Sequence, residues 1–282
     1  MDSLVSTEWL ARHLGEPGLV VLDASNHLPD AGRDARAEFA AAHIPGARFL
    51  DLATLTDPGS PVPAAVPTDA QFAERMAALG VNDGDRLVIY DDSAVKTAAR
   101  AWFIARMHGV AEVAILDGGL GKWRAEGRAL ESGEAPAARG SFSASPGPGT
   151  VRFKSDLLAN LGSMAEQVVD ARGRARFSGE EADFRPNIAS GHIPGSRSLP
   201  FDLLFAHDGT HASPKDLRRA FEEAGIDFDR PVVTTCGGGV TAAVLSFALH
   251  LLGKADVALY DGSWSEWGAD PATPKETGPA VV

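Results

Sequence analysis

Short unbroken apolar runs alternate along this chain with longer stretches in which apolar residues return every three or four positions. VVLDA at 20–24, LVIY at 87–90, QVVDA at 167–171 and VVTT at 232–235 are runs of the first kind. They lack the in-and-out alternation of a half-exposed strand, which predicts strands buried on both faces. TEWLARHL at 7–14, DAQFAERMAAL at 69–79 and TAARAWFIARMHG at 97–109 are helical stretches of the second kind. Strand and helix in regular alternation predict a parallel sheet covered by helices. Ligands of such sheets bind beyond the carboxyl ends of the strands.

The pattern runs through the chain twice. A strand ending in Asp-Ala occurs at Asp23 and again at Asp170. HIPG occurs at His43–Gly46 and again at His192–Gly195. An apolar strand leads into a Thr-Ala-Ala step at Thr97 and again at Thr241. A strand, Asp-Gly and then Trp ends at Trp123 and again at Trp267. The separations drift only between 144 and 149 residues, as duplicated domains with small loop changes require. Between the copies, residues 127–150 are rich in Gly, Ser, Pro and Ala without an apolar period, which predicts a linker. The predicted organisation is a first domain at 1–128, a linker at 129–150 and a second domain at 151–282. The stretch 57–68, with four prolines, is predicted to be a surface loop, and the Pro-rich tail after Gly268 a segment with a loose end.

A length of 282 residues accommodates two domains of ordinary size. The net charge of −12 argues against nucleic acid or an anionic membrane as the main partner. The longest apolar stretch, 242–252, is too short to span a bilayer. The acidic start contains no recognisable signal peptide, and the single cysteine fits a reducing compartment, so the expected location is the cytoplasm.

That cysteine, Cys236, follows the apolar run VVTT and precedes a helical run, with Gly237, Gly238 and Gly239 directly after it. A lone cysteine is ordinarily a small buried hydrophobe. Three glycines change the expectation: they leave the sulfur uncovered, and they permit φ > 0, so that successive N–H groups turn inward as an anion nest. At a strand-to-helix turn, those amides and the positive helix end favour a thiolate. Aligning the two Thr-Ala-Ala steps sets Asp92 opposite Cys236, so the first copy keeps the scaffold and lacks the nucleophile.

HIPG in both halves, the Asp-Gly-to-Trp element in both halves and the CGGGVT loop in the second half together resemble the rhodanese superfamily, specifically its tandem-domain sulfurtransferases of the 3-mercaptopyruvate type. The resemblance spans nearly the whole chain. It implies an α/β fold of two rhodanese-like domains, each a central parallel β-sheet flanked by helices on both faces, with the active loop in the second. It implies catalysis by Cys236, which takes up a sulfur atom as a persulfide and passes it to a small thiol, a thioredoxin-like protein or cyanide. The backbone of Gly237, Gly238, Gly239, Val240 and Thr241 then stabilises the anionic sulfur. No cofactor and no metal are expected. By the same resemblance Arg176 and Arg185 bind the carboxylate and ketone of mercaptopyruvate, for which the planar guanidinium is suited. The competing expectation pairs these arginines with Glu180, Glu181 or Asp183 on the surface.

Mercaptopyruvate enzymes of the superfamily commonly carry CGSGVT, and here the serine position is Gly238. A proton-relaying hydroxyl is therefore missing, and water, Thr241 or a first-domain residue is expected to substitute. His43 and Asp34 are the first-domain candidates, although HIPG is chiefly a turn. Thiosulfate enzymes of the superfamily resemble one another in basic residues just after the cysteine, where this chain has Gly237 and Gly238. That favours mercaptopyruvate as donor, with thiosulfate as runner-up and a non-enzymatic persulfide carrier as third. A cysteine phosphatase loop needs an arginine six residues after the cysteine, and that position is Ala242. His207 and His211 lack further partners for a metal site. The five tryptophans are expected to pack rather than bind.

Overall fold

The computed structural model describes residues 1–134 and 137–280. They form two compact units. The first comprises 1–57, 66–149 and 206–211, and the second comprises 58–65, 150–205 and 212–282, of which Val281 and Val282 lie outside the described residues.

The first unit is a five-stranded sheet of β1 (Leu4–Val5), β2 (Leu19–Asp23), β3 (Arg48–Phe49), β4 (Arg86–Tyr90) and β5 (Val113–Leu116), in the order β1-β5-β4-β2-β3. Its helices are α1 (Thr7–His13), α2 (Ala35–Ala41), α3 (Asp69–Ala78), α4 (Ala98–Met107) and α5 (Gly119–Ala125). The second unit repeats the plan with β6 (Thr150–Arg152), β7 (Gln167–Asp170), β8 (Arg197–Ser198), β9 (Val232–Thr235) and β10 (Val257–Tyr260), in the order β6-β10-β9-β7-β8. Here the helices are α6 (Lys154–Ser163), α7 (Arg174–Ser178), α8 (Pro214–Glu223), α9 (Val240–Leu251) and α10 (Ser263–Trp267). All strand pairs in both sheets are parallel. The uninterrupted apolar runs are the central strands, buried on both faces as their composition requires. Helices α4 and α9 are buried along most of their length.

HIPG closes each unit with the same clasp. His43 is 4 % exposed, stacks on Phe39 and lies 2.8 Å from the Phe39 carbonyl through Nδ1. His192 is 2 % exposed, stacks on Phe177 and lies 2.9 Å from the Phe177 carbonyl. Each histidine pairs its backbone with a later strap, His43 with Glu131 and His192 with Glu276. The same two glutamates accept the amides of Gly46 and Gly195.

The segment expected as a linker lies along the first unit. Gly140 N–H donates to Ala77 O, Ser145 N–H to His108 O and Gly147 N–H to Met107 O. Its glycines allow this approach: a Cβ on Gly147 would lie 1.8 Å from Arg106 O. Ala135 and Pro136 in this segment lie outside the described residues. The tail is tied down as far as Gly278, whose N–H donates to Ser178 O, and its expected loose end at 281–282 is not among the described residues. No described helix is long and apolar enough to cross a membrane.

Candidate active site

Strand β9 ends at Thr235 and delivers Cys236 to the carboxyl edge of the second sheet, and α9 begins at Val240. The thiol is shielded, with Cys236 only 2 % exposed, but Gly237 and Gly238 beside it are partly open. Gly239 N–H donates to Cys236 Sγ at 3.1 Å. Gly239 is also the one glycine of the three with positive φ, at 81°. The triple glycine therefore divides its work. Gly239 turns the chain, as an L side chain there would be strained, while Gly237 and Gly238 provide space. The Gly237 carbonyl accepts Ser265 N–H at 2.8 Å and Arg185 Nη1 at 2.8 Å.

The turn before α10 supports the loop from below. Trp264 N–H donates to Cys236 O at 2.9 Å, and Cys236 N–H donates to Ser263 Oγ at 3.2 Å. Ser263 has φ 47°, a strained value for a residue with a side chain, and its hydroxyl also donates to Tyr260 O. Its counterpart in the first unit is Gly119, at φ 56°. The sequence contains no signal for this support beyond the Asp-Gly-to-Trp motif itself.

Register shows which first-unit residue matches the cysteine. Asp170 lies opposite Thr235, and Asp23 lies opposite Tyr90. Ala171 N–H donates to Thr235 O as Ala24 N–H does to Tyr90 O. Trp264 N–H meets Cys236 O as Leu120 N–H meets Asp91 O. The counterpart of Cys236 is therefore Asp91, not the Asp92 expected from the Thr-Ala-Ala alignment, because the first loop is one residue longer. The Asp91 carboxylate accepts Ser93 N–H and Ala98 N–H, and burial pushes its carboxyl up. Asp92 instead pairs with Arg33 and Arg124.

Arg176 and Arg185 are brought together above the cysteine loop. A Cβ on Gly237 would lie 3.4 Å from Arg185 Nη2 and 3.8 Å from Arg176 Nη2. The expected competitor Asp183 is indeed their partner, yet its geometry converges the two arginines on the loop. Arg185 forks onto Asp183 through Nε at 2.8 Å and Nη2 at 2.7 Å, and Arg176 Nη2 donates to the same carboxylate at 2.8 Å. The Asp183 side chain is 2 % exposed. Burial alone would push its carboxyl up; the bonds from Arg185 and Arg176 outweigh this and hold it well below the usual carboxylate range. Phe184, itself exposed, lies under both guanidinium groups, 5.0 and 5.3 Å from their centres. Two guanidinium groups against one carboxylate leave an unbalanced positive charge, and Arg176 Nε is buried with no hydrogen-bond partner among the described residues. Glu180 and Glu181 make no ion pair with either arginine among the described residues. Val240 and Thr241 begin α9 and are partly exposed.

The two first-domain candidates lie in the first unit and have structural roles there. His43 holds the clasp described above, and Asp34 caps α2 by accepting Ala37 N–H at 3.0 Å. His211 is bound to Asp117 Oδ1 through both its backbone N–H and Nδ1. No group of three or more metal-ligating side chains is present among the described residues.

A rhodanese-like domain model matches the chain twice, over residues 6–126 and 154–270. The chain belongs to the rhodanese family. The first match holds β2–β5 with α1–α5, the second holds β7–β10 with α6–α10, and the second contains the cysteine loop. Among relatives, the human 3-mercaptopyruvate sulfurtransferase is 42 % identical, covering 94 % of this chain and 91 % of that protein. The chicken thiosulfate sulfurtransferase is 38 % identical, covering 94 % and 93 %. Among solved structures, SseA from Escherichia coli, described with the 3-mercaptopyruvate sulfotransferases, superimposes with a TM-score of 0.85 at 37 % identity, covering 94 % of this chain and all of that one. The rhodanese fold implied by the motif resemblance is thus present in both halves.

Proposed function

We propose that this chain is a sulfurtransferase that takes sulfur from 3-mercaptopyruvate onto Cys236, releases pyruvate and passes the sulfur to a thiol or to cyanide. The observation that carries it is the convergence of Arg176 and Arg185 over Gly237, one residue from the only thiol in the chain. A persulfide carrier fed by a partner protein needs no such clamp for a small anion.

The first stage is attack by the Cys236 thiolate on the substrate sulfur. A sulfur–sulfur bond forms, the carbon–sulfur bond breaks, and its electron pair leaves on the carbon skeleton as the enolate of pyruvate. The proton of the substrate thiol ends on that carbon, so the products are the Cys236 persulfide anion and pyruvate. The second stage is attack by an acceptor thiolate on the outer sulfur, which restores the Cys236 thiolate and leaves the acceptor as a persulfide. Gly239 N–H supports the inner sulfur, and the arginine pair holds the donor carboxylate. The acceptor is a small thiol or an exposed cysteine of a thioredoxin-like protein, and the cytoplasm is the compartment that keeps these thiols reduced.

Intact-protein mass spectrometry after exposure to mercaptopyruvate tests this, with stoichiometric pyruvate as the second readout. A gain of one sulfur, absent in Cys236→Ser, is the expected result. Sulfur loading from thiosulfate alone would shift the donor to thiosulfate. Loading from neither would overturn the enzymatic function.

A further inference from the structure

The departing enolate requires a proton, and Gly238 presents no hydroxyl. We infer that Ser265, on α10, supplies it. This rests on the mercaptopyruvate chemistry proposed above and assigns the proton step of that reaction to a residue.

Three observations place Ser265. A Cβ built on Gly238 would have Ser265 Oγ and Arg185 Nη1 as its nearest neighbours, both at 3.8 Å. The Ser265 hydroxyl therefore stands beside the position that a side chain at 238 would occupy, as the guanidinium does. Ser265 is anchored to the loop, since its N–H and Arg185 Nη1 share the Gly237 carbonyl. Among the described residues its hydroxyl makes one bond, donated to Gly262 O at 2.9 Å, which leaves its lone pairs open to accept.

Two neighbouring hydroxyls are held in other bonds. Ser263 is fully buried and binds Cys236 N–H and Tyr260 O. Thr235 is 1 % exposed and bonds to Ser263. Ser265 is 8 % exposed and flanks partly open Gly238. In the step itself, the Ser265 hydroxyl gives its proton to the enolate and takes the proton of the substrate thiol, so serine is unchanged at the end. The persulfide is left as an anion and pyruvate is complete.

A hydroxyl acting in this way matters only where the leaving group is a carbanion. Sulfite, the leaving group from thiosulfate, departs as a stable anion and needs no proton. General acid–base groups contribute about 10²–10⁴-fold, and replacement of one by solvent recovers part of that.

The experiment compares wild type, Ser265→Ala, Gly238→Ser and the double variant in single-turnover pyruvate release. The same proteins, loaded beforehand with sulfur, are tested for discharge to a thiol. Ser265→Ala is expected to slow pyruvate release about 10–100-fold and to leave persulfide discharge at the wild-type rate. The Gly238→Ser change is expected to restore release in the double variant, because its hydroxyl re-enters the same space. Release at the wild-type rate in Ser265→Ala would overturn the assignment. So would equal slowing of release and discharge, or slowing that Gly238→Ser does not repair, since either marks a packing role. Failure of wild type to release pyruvate would instead refute the mercaptopyruvate chemistry beneath it.

Discussion

Asp183→Asn separates binding from chemistry at this site. The carboxylate accepts three guanidinium hydrogen bonds at 2.7–2.8 Å, and the Arg185 N–H at 3.0 Å. Asparagine keeps the volume but turns one oxygen into an N–H₂ group facing two guanidinium donors. With the amide at the Oδ2 position, Arg185 Nη2 and Arg176 Nη2 both lose their acceptor. A hydrogen bond to a charged group contributes about 1.5–3 kcal/mol. The arginine side chains are 26 % and 24 % exposed, so water replaces part of what is lost. A net loss of about 2 kcal/mol in holding the pair corresponds to roughly a 30-fold fall in kcat/KM. On the proposed reading the pair grips the substrate carboxylate equally in the ground and transition states, so the change is expected to fall on KM while kcat holds. Steady-state pyruvate release with mercaptopyruvate as the varied substrate reads the effect, with circular dichroism to verify folding. A folded Asp183→Asn protein with wild-type KM, or with the loss confined to kcat, would refute the clamp.

Acid titration probes the same carboxylate. Its native-state pKa lies below the unfolded value of about 3.9, so the folded form binds fewer protons there. The stability advantage of wild type over Asp183→Asn is therefore expected in full above about pH 5 and to shrink as pH falls below about 4; a gap that widens in acid would contradict this. At the loop, Gly239→Ala puts a Cβ on a backbone at φ 81°, which costs about 1–2 kcal/mol, or a few degrees in Tm. Gly238→Ala meets nothing nearer than 3.8 Å and is expected to melt with wild type. Equal melting of the two variants by calorimetry would show that the left-handed turn at Gly239 carries no strain.

The chain by itself determined the two parallel sheets, because strands buried on both faces must read as unbroken apolar runs and only crossover helices can join them. It also determined the duplication, and the position of Cys236 between strand and helix. The clasp made by His43 and His192 was legible only as a turn, since the ring partners come from Phe39 and Phe177 at different sequence spacings. The glycine-rich 127–150 segment read as a linker because close backbone approach and flexibility call for the same residues. Only tertiary structure decided that Asp91 rather than Asp92 stands in the cysteine's place, because strand register is fixed by hydrogen bonds between distant segments. Only tertiary structure, likewise, turned Asp183 from a surface ion-pair partner into the group that aims two arginines at one loop. It also set Ser263 and Ser265 around that loop, more than 25 residues along the chain from Cys236. Sequence specifies which groups can ionise or hydrogen-bond, whereas their convergence depends on how the carboxyl ends of neighbouring strands are placed side by side.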